Sequence, residues 1–234
     1  MCLHRHLLVL YKTMGLILNI DTATTTAQVS LAQNGTVLHS LTNDSQKDHA
    51  SFLQTAVKQL MIDTTLQLQL VDAIAVAAGP GSYTGLRVGM ASAKGLCYAL
   101  NKPLITLNTL QILTVAAQQQ NSTLKALFCP MIDARRMEVF TAIYDEQQAL
   151  ILSPCAMVLN ENSFEKYTGT KILFFGNGAP KWEKIYKHPN ALYTTIVDDP
   201  TAMARLSNTY FIQQQFADVA YSEPFYIKEF QDKM

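Results

Sequence analysis

The sequence lacks the residue clusters that mark many disulfide and metal proteins. Its four cysteines show no CxxC spacing, and its five histidines form no HExxH or HxxxH pattern. These absences leave a disulfide scaffold, a zinc ribbon and an autonomous metal site without support. We therefore expect the cysteines to be reduced and buried in a cytosolic protein; they are Cys2, Cys97, Cys129 and Cys155.

An excess of charge is also missing. Lys plus Arg and Asp plus Glu each number 18, so the formal net charge is zero. A protein that binds nucleic acid alone usually presents a basic face, because neutralised phosphates dominate that affinity. Beyond the pair Arg135–Arg136, no cluster of basic residues occurs in the sequence. The balance argues against strong direct binding of nucleic acid and leaves open a role beside another binder.

Long apolar runs are absent too. No stretch reaches the roughly 18 apolar residues expected of a membrane-spanning helix. The start, MCLHRHLLVLYKT, holds a short apolar run, but it is too short for a signal peptide and lacks a small-residue cleavage site. We expect residues 1–13 to be an extension and Met14 to be the natural start. The 234 residues suffice for one large domain or two small ones.

What the sequence does contain is a strong strand–turn–helix pattern. Val71–Ala78 predicts a strand buried on both faces, and Gly79-Pro80-Gly81 predicts a turn before a helix over Thr84–Leu100. Backbone N–H groups at a helix start favour an anion, so this turn is a candidate phosphate cradle. The alternative is a tight connection that needs the conformational freedom of glycine.

The predicted helix carries small residues at a regular spacing. Gly85, Gly89 and Ala93 recur every four residues and lie on one face. Because a glycine inside a helix costs about 1 kcal/mol relative to alanine, the spacing indicates a close packing contact. Arg87 and Lys94 argue against the membrane-dimer version of this spacing.

The first half of the chain predicts a mixed α/β domain. Three strands form an antiparallel meander, with Asn34-Gly35 as a strong hairpin signal between the second and the third. A helix with a clean apolar stripe follows, with Asp48 as its expected N-cap. The strands are predicted over 16–20, 26–32, 36–42 and 103–107, and the helices over 49–62 and 108–118.

From Leu124 the same order of elements starts again, which suggests a duplicated fold. Strands are predicted over 124–132, 137–144, 148–158, 171–175 and 192–197, the third weakened by Pro154. Helices are predicted over 164–167, 179–186 and 201–215, the last capped by Asp199. We expect two domains, 14–122 and 123–234, with the last helix able to pack on the first domain.

Four segments together resemble a known family: ILNIDTATTTAQVSL, HASFLQTAVKQLM, AGPGSYTGLRVGMASAKGLCYAL and PMIDARRMEVFTAIYD. They are similar to the TsaB/YeaZ family of bacterial tRNA threonylcarbamoyladenosine biosynthesis proteins, also called glycoprotease M22-like. The resemblance is strong over residues 16–144 and weak beyond them. It implies an actin-like ATPase fold of the ribonuclease H-like type, with two similar α/β subdomains.

The resemblance also implies a function and partners. The family acts as a non-catalytic partner of the TsaD-type threonylcarbamoyltransferase and the TsaE-type ATPase, which modify an adenosine of tRNA. We accordingly expect a cytoplasmic activating subunit that meets tRNA only indirectly and forms a homodimer when alone. It needs no cofactor of its own, since ATP and metal belong to the partners.

One departure from the catalytic paralogue supports this expectation. The paralogue holds its metal with two histidines in a V-N-H-L-x-x-H motif, where this chain has LNTLQIL over 107–113. Thr109 and Leu113 stand in the histidine positions, and neither replaces a nitrogen donor. We therefore expect no catalytic and no metal-binding residue. An enzyme of the same fold, an ATP-dependent phosphotransferase or carbamoyltransferase, is the alternative; a metalloprotease is a weaker one, without visible ligands.

The candidate site residues fall into three groups. Residues that could face a nucleotide or phosphate are Asp21, Thr22, Thr24, Gly79, Gly81, Ser82 and Arg87; for Asp21 and its neighbouring threonines, an Asx-type turn that caps the strand end is the favoured alternative. The resemblance implies a partner interface on the two helices, at Phe52, Leu53, Ala56, Val57, Leu60, Gly85, Gly89, Met90, Ala93 and Leu96. It also implies a cleft wall at Asp133, Arg135, Arg136 and Glu138, for which a solvated turn is the alternative.

Overall fold

The computed structural model describes residues 15–44, 49–167, 169–197 and 199–228. The expected extension 1–13 and the expected N-cap Asp48 lie outside these residues. The strands in chain order are β1 (Leu16–Asp21), β2 (Ala27–Gln33), β3 (Thr36–Asn43), β4 (Ala73–Gly79), β5 (Leu104–Asn108), β6 (Leu127–Asp133), β7 (Glu138–Tyr144), β8 (Leu150–Val158), β9 (Ile172–Phe175) and β10 (Ala191–Tyr193). The α-helices are α1 (His49–Asp63), α2 (Tyr83–Leu100), α3 (Thr109–Gln120), α4 (Ala179–Ile185) and α5 (Pro200–Ile212). Leu68–Leu70 and Glu165–Tyr167 form short 3-10 helices.

The chain divides into two compact units, each built on one sheet. The first contains the described residues up to Leu107 together with Asp199–Pro224. The second contains the described residues from Asn108 to Val197 and those from Phe225 onward. Among the described helices, none is long and apolar enough to cross a membrane.

The first unit has a five-stranded sheet in the order β3-β2-β1-β4-β5. β1, β2 and β3 are antiparallel, and β1 pairs in parallel with β4, with Leu18 opposite Ile74. The hairpin between β2 and β3 turns at Asn34 and Gly35, both with positive φ, as predicted. Every residue of β4 is buried, as predicted for a strand with neither face in solvent.

The second unit repeats this topology with the order β8-β7-β6-β9-β10. β6, β7 and β8 are antiparallel, whereas β9 pairs in parallel with both β6 and β10. Its core holds the edge-to-face rings of Phe164, Phe174 and Trp182. The predicted duplication of a mixed α/β unit is therefore confirmed.

Two of the differences from the sequence-based expectation have a clear tertiary cause. α3 belongs to the second unit rather than the first, because Leu110 and Ala117 pack against apolar side chains of the second sheet. β10 ends at Tyr193 instead of continuing to Val197. The backbone of Val197 bonds the side chain of Gln120, with N to Oε1 at 3.2 Å and Nε2 to O at 2.8 Å, and not a neighbouring strand.

Candidate functional site

The turn after β1 packs directly on the first turns of α2. Thr22 is completely buried, and its hydroxyl donates a hydrogen bond to the carbonyl oxygen of Gly85 at 2.7 Å. A Cβ added at Gly81, Gly85 or Gly89 would collide with Ala23 O, Thr22 O and Thr22 Oγ1 respectively. The glycines are there because the β1–β2 turn approaches the helix too closely for any side chain.

Hydrogen bonds within the chain satisfy much of this turn. Asp21 Oδ1 accepts from the N–H of Ala23 at 2.9 Å, which is an Asx turn. The N–H of Ser82 donates to Ala23 O at 2.7 Å, and Ser82 Oγ accepts from the N–H of Gly85 at 3.3 Å as the N-cap of α2. The backbone N–H groups of Ser82 and Gly85, which were expected to be donors to a phosphate, thus already form hydrogen bonds within the chain.

The other members of the predicted phosphate set lie around the same turn. Gly79 ends β4 with φ of 116°, and Thr24 donates from its hydroxyl to Thr26 O at 3.4 Å. Arg87 lies one turn into α2, with its guanidinium 4.2 Å from the centre of the Tyr83 ring. The structure therefore brings the predicted residues together, and phosphate binding by them stays a prediction.

The predicted small-residue groove of α2 faces the chain's own core. Gly85, Gly89, Met90 and Ala93 are buried. On α1, the apolar stripe is buried in the same way; it comprises Leu53, Ala56, Val57 and Leu60, with Phe52 partly buried against the core. In this structure these side chains are part of the chain's own core, and a partner interface at them stays a prediction.

A different face of α2 is open. Ala91, Gly95, Tyr98 and Ala99 are exposed, Tyr98 to 88%, and a Cβ added at Gly95 would meet nothing within 4 Å. Positions 91, 95 and 99 repeat the four-residue spacing two residues out of step with Gly85, Gly89 and Ala93, and at about 100° per residue they lie on a different face of the helix. The sequence contained this second small-residue stripe, but spacing alone does not say which stripe faces solvent.

Beside this face, α1 and α2 border an apolar groove of about 480 Å³. Its apolar lining is Val57, Met61, Ile62, Leu66, Leu68 and Leu96, and its polar lining includes Gln54 and Lys58. Gln54 Nε2 donates to Ser92 Oγ at 3.2 Å, which joins the two helices. Val57 and Leu96 are the members of the predicted interface that line this groove.

The β6–β7 turn of the second unit gathers the four predicted charged residues. Asp133 Oδ1 accepts from the N–H of Arg135 and from Lys181 Nζ, both at 2.6 Å, and Glu138 pairs with Lys228. Burial raises the pKa of the Asp133 carboxyl, but its hydrogen bonds to Lys181 and to the N–H of Arg135, with the Lys181 charge, outweigh it and lower that pKa overall. Arg135 and Arg136 both have left-handed backbones, with φ of 70° and 47°.

The two positions that the family resemblance matches to the paralogue's histidines, Thr109 and Leu113, are part of α3. Thr109 is its first residue and is buried, while Leu113 packs against the apolar clusters of the second unit. Within the described residues, no group of three or more His, Cys, Asp or Glu could hold a metal ion. Cys97 and Cys129 are buried thiols, as expected, and Cys155 is half-buried.

The repeated mixed sheets, each with three antiparallel and two further strands, define the actin-like, ribonuclease H-like fold. Two solved structures from Pseudomonas aeruginosa have this fold at 25% identity. One, described as similar to peptidase YEAZ, has a TM-score of 0.78 over 92% of this chain and 100% of its own. The other, YeaZ, has a TM-score of 0.76 over 91% of this chain and 100% of its own.

Sequence comparison identifies the family. The model described as "TsaD: tRNA N6-adenosine threonylcarbamoyltransferase" matches residues 35–228, and the chain belongs to this family. The tRNA threonylcarbamoyladenosine biosynthesis protein TsaB of Bacillus subtilis is 35% identical over 58% of this chain and 57% of its own length. TsaB of Escherichia coli is 33% identical over 56% of each. The aligned part thus spans little more than half of these relatives, and it confirms the resemblance to TsaB/YeaZ proteins.

Proposed function

We propose that this chain is a non-catalytic activating subunit in the formation of tRNA N6-threonylcarbamoyladenosine. In this role it dimerises with a TsaD-type threonylcarbamoyltransferase and supports binding of a TsaE-type ATPase. The names of its TsaB relatives place those proteins in this biosynthesis. The chain itself requires no cofactor, and ATP and metal belong to the partners.

The observation that carries the proposal is that Thr109 and Leu113 occupy the two positions at which, by the family resemblance, the catalytic paralogue has its metal-binding histidines. A methyl-and-hydroxyl side chain and an aliphatic one supply no nitrogen ligand at positions 109 and 113. Leu113 packs against apolar side chains of the second unit, and Thr109 is buried as the first residue of α3. A chain of the TsaD family with this substitution is better suited to assist a catalytic paralogue than to replace it.

The proposed dimer interface is the exposed face of α2 together with the adjoining apolar groove between α1 and α2. The small side chains Ala91, Gly95 and Ala99 permit close approach of a partner helix, with Tyr98 and the groove-lining Ile62 as apolar contacts. Tyr98 is a large, exposed aromatic residue, and tyrosine is enriched among the interface residues that contribute most to the binding free energy. The same face used twice would give a two-fold homodimer in the absence of the partner.

The test is a reconstituted modification assay. A tRNA transcript is incubated with the cognate TsaD-type and TsaE-type proteins and the adenylate-forming enzyme, with and without this chain. We expect modified adenosine only when the chain is present. Equal product without it would overturn the activating role. Tight binding of ATP and magnesium to the isolated chain by calorimetry would favour an enzyme of the same fold instead.

Two variants separate the interface from general damage to the protein. Tyr98→Asp places a charge on the proposed interface, whereas Val197→Asp makes a similar change at a residue of the second unit that is 70% exposed. Because both side chains are largely in solvent, both variants should fold with unchanged unfolding midpoints. We expect Tyr98→Asp to lose co-elution with the TsaD-type protein and at least tenfold activity, with Val197→Asp unaffected; equal behaviour of the two excludes this interface.

A further inference from the structure

The β6–β7 turn carries two arginines in an unusual backbone conformation. Arg135 and Arg136 have φ of 70° and 47°, the left-handed region in which hairpin turns favour Asn and Gly. The turn is closed by the N–H of Glu138 to Arg135 O at 3.0 Å and the N–H of Ala134 to Glu138 O at 3.1 Å. Both arginines are exposed at the tip of this hairpin. Turn formation alone does not explain why arginine occupies either position.

The neighbouring carboxylates do not neutralise these arginines. Asp133 accepts from Lys181 Nζ at 2.6 Å, and Lys181 also donates to Glu138 O at 3.2 Å. Glu138 in turn forms an ion pair with Lys228. Among the described residues named here, the four cations Arg135, Arg136, Lys181 and Lys228 exceed the two carboxylates Asp133 and Glu138 by two positive charges. Within the part of the chain that the structure describes, neither guanidinium has a hydrogen-bond or ion-pair partner.

The side chains around the turn hold its shape. The Asp133 carboxylate accepts from the N–H of Arg135, and the N–H of Asp133 donates to Asn177 Oδ1 at 2.8 Å. Lys181 spans the two strand ends by contacting Asp133 and Glu138. The two guanidiniums are therefore presented from a fixed backbone, which lowers the entropy lost when they bind an anion.

We propose that Arg135 and Arg136 bind phosphodiester groups of the tRNA backbone when the chain acts within its modification complex. This inference rests on the proposed function. Guanidinium groups bind phosphate oxygens in bidentate fashion, and backbone contacts need charge and position but no pocket for a base. Small-molecule sites such as those for nucleotides are concave, so an exposed hairpin tip is better suited to contact the phosphate backbone of an RNA than to bind a free nucleotide. Two phosphate contacts are too few for strong binding alone, which agrees with the zero net charge of the chain.

The test measures affinity for tRNA rather than turnover. Anisotropy of a labelled tRNA transcript is titrated with the assembled complex at several KCl concentrations, with wild type and with the double variant Arg135→Gln/Arg136→Gln. We expect roughly tenfold weaker binding at low salt and a salt-dependence slope smaller by about 1.4 to 1.8, since each phosphate contributes about 0.7 to 0.9. The matched control, Lys125→Gln/Arg205→Gln, removes two exposed charges elsewhere and should leave the slope unchanged.

Further measurements separate the alternatives. Arg135→Lys/Arg136→Lys keeps the charge and should keep the slope. An unchanged salt-dependence slope for Arg135→Gln/Arg136→Gln overturns the proposal. The proposal also fails if this double variant binds tRNA as wild type does but loses binding of ATP to the isolated chain. If the chain fails to stimulate modification but the glutamine variant still lowers the slope, the RNA contact stands and the activating role fails.

Discussion

The hydroxyl of Thr22 donates a 2.7 Å hydrogen bond to the carbonyl oxygen of Gly85, 63 residues further along the chain. This bond fixes the turn after β1 against the start of α2, and it requires that Gly85 and Gly89 have no side chains. The helix is thus positioned by a fully buried contact on one face, which leaves its opposite face exposed.

Two alanine substitutions in α2 should have opposite effects on stability. Gly89→Ala would push a methyl group into Thr22 Oγ1, so we expect the free energy of unfolding to fall by about 1–3 kcal/mol. Gly95→Ala meets open space and should raise it by about 0.5–1 kcal/mol, because alanine favours the helix. Urea unfolding of both variants checks the pair; equal destabilisation would contradict the packing described here.

Lys94 should stabilise the segment 217–222, which follows α5, in its packed position. Its ammonium group donates to Ala220 O at 3.0 Å and Ser222 O at 2.9 Å. Lys94→Met keeps the aliphatic stem and removes both bonds, so we expect local opening of residues 217–222 to become easier by about 1 kcal/mol. Hydrogen exchange of the Ala217 amide, which bonds Leu104 O at 2.8 Å, measures this opening. Lys58→Met, at an exposed position of α1, is the control and should leave that exchange rate unchanged.

The buried thiols should react slowly in the folded protein. Burial raises the pKa of Cys97 to about 11 and that of Cys129 to about 12, so few thiolates are present at pH 8. We expect iodoacetamide to modify half-buried Cys155 before either of them, and all three rapidly in denaturant, where the thiol pKa returns to about 8.5. Mass spectrometry of the peptides gives the rates, and native modification of Cys97 at the denatured rate would refute the expectation.

Asp133 should contribute to the loss of the free energy of unfolding at acidic pH. Its pKa is lowered in the folded state, so the protonated form is favoured in the unfolded chain. The resulting stability is present above the unfolded pKa of about 3.9 and disappears as the pH falls through the folded value. Asp133→Asn should therefore flatten the loss of stability below about pH 4, as followed by urea unfolding at several pH values. An unaltered acid limb would show that this carboxylate carries no such contribution.

Much of the fold could be predicted from local sequence signals. Asn34-Gly35 marked the β2–β3 hairpin, Asp199 the start of α5, and the apolar run before Gly79 marked β4. The end of β10 could not be predicted, because a side chain of α3, Gln120, binds the backbone of Val197. The placement of α3 in the second unit likewise depends on which sheet its apolar side chains meet.

The candidate site divides in the same way. Sequence spacing identified the strand–turn–helix and the charged β6–β7 turn, and the structure shows each of these groups gathered locally. It also predicted that Gly85, Gly89 and Ala93 would meet a partner, whereas those residues meet the chain's own β1–β2 turn and core. The small residues at 91, 95 and 99 have the same spacing, so periodicity could not distinguish the two faces.

The sequence by itself determined the repeated α/β pattern, the glycine-rich turn and the absence of histidine at positions 109 and 113. Those properties depend on residue identity and on local backbone preference. Only the tertiary structure decided which side of α2 is buried and that, among the described residues, the guanidiniums of Arg135 and Arg136 form no ion pair. Both depend on contacts between residues distant in the chain, such as Thr22 with Gly85 and Asp133 with Lys181, which no local pattern specifies.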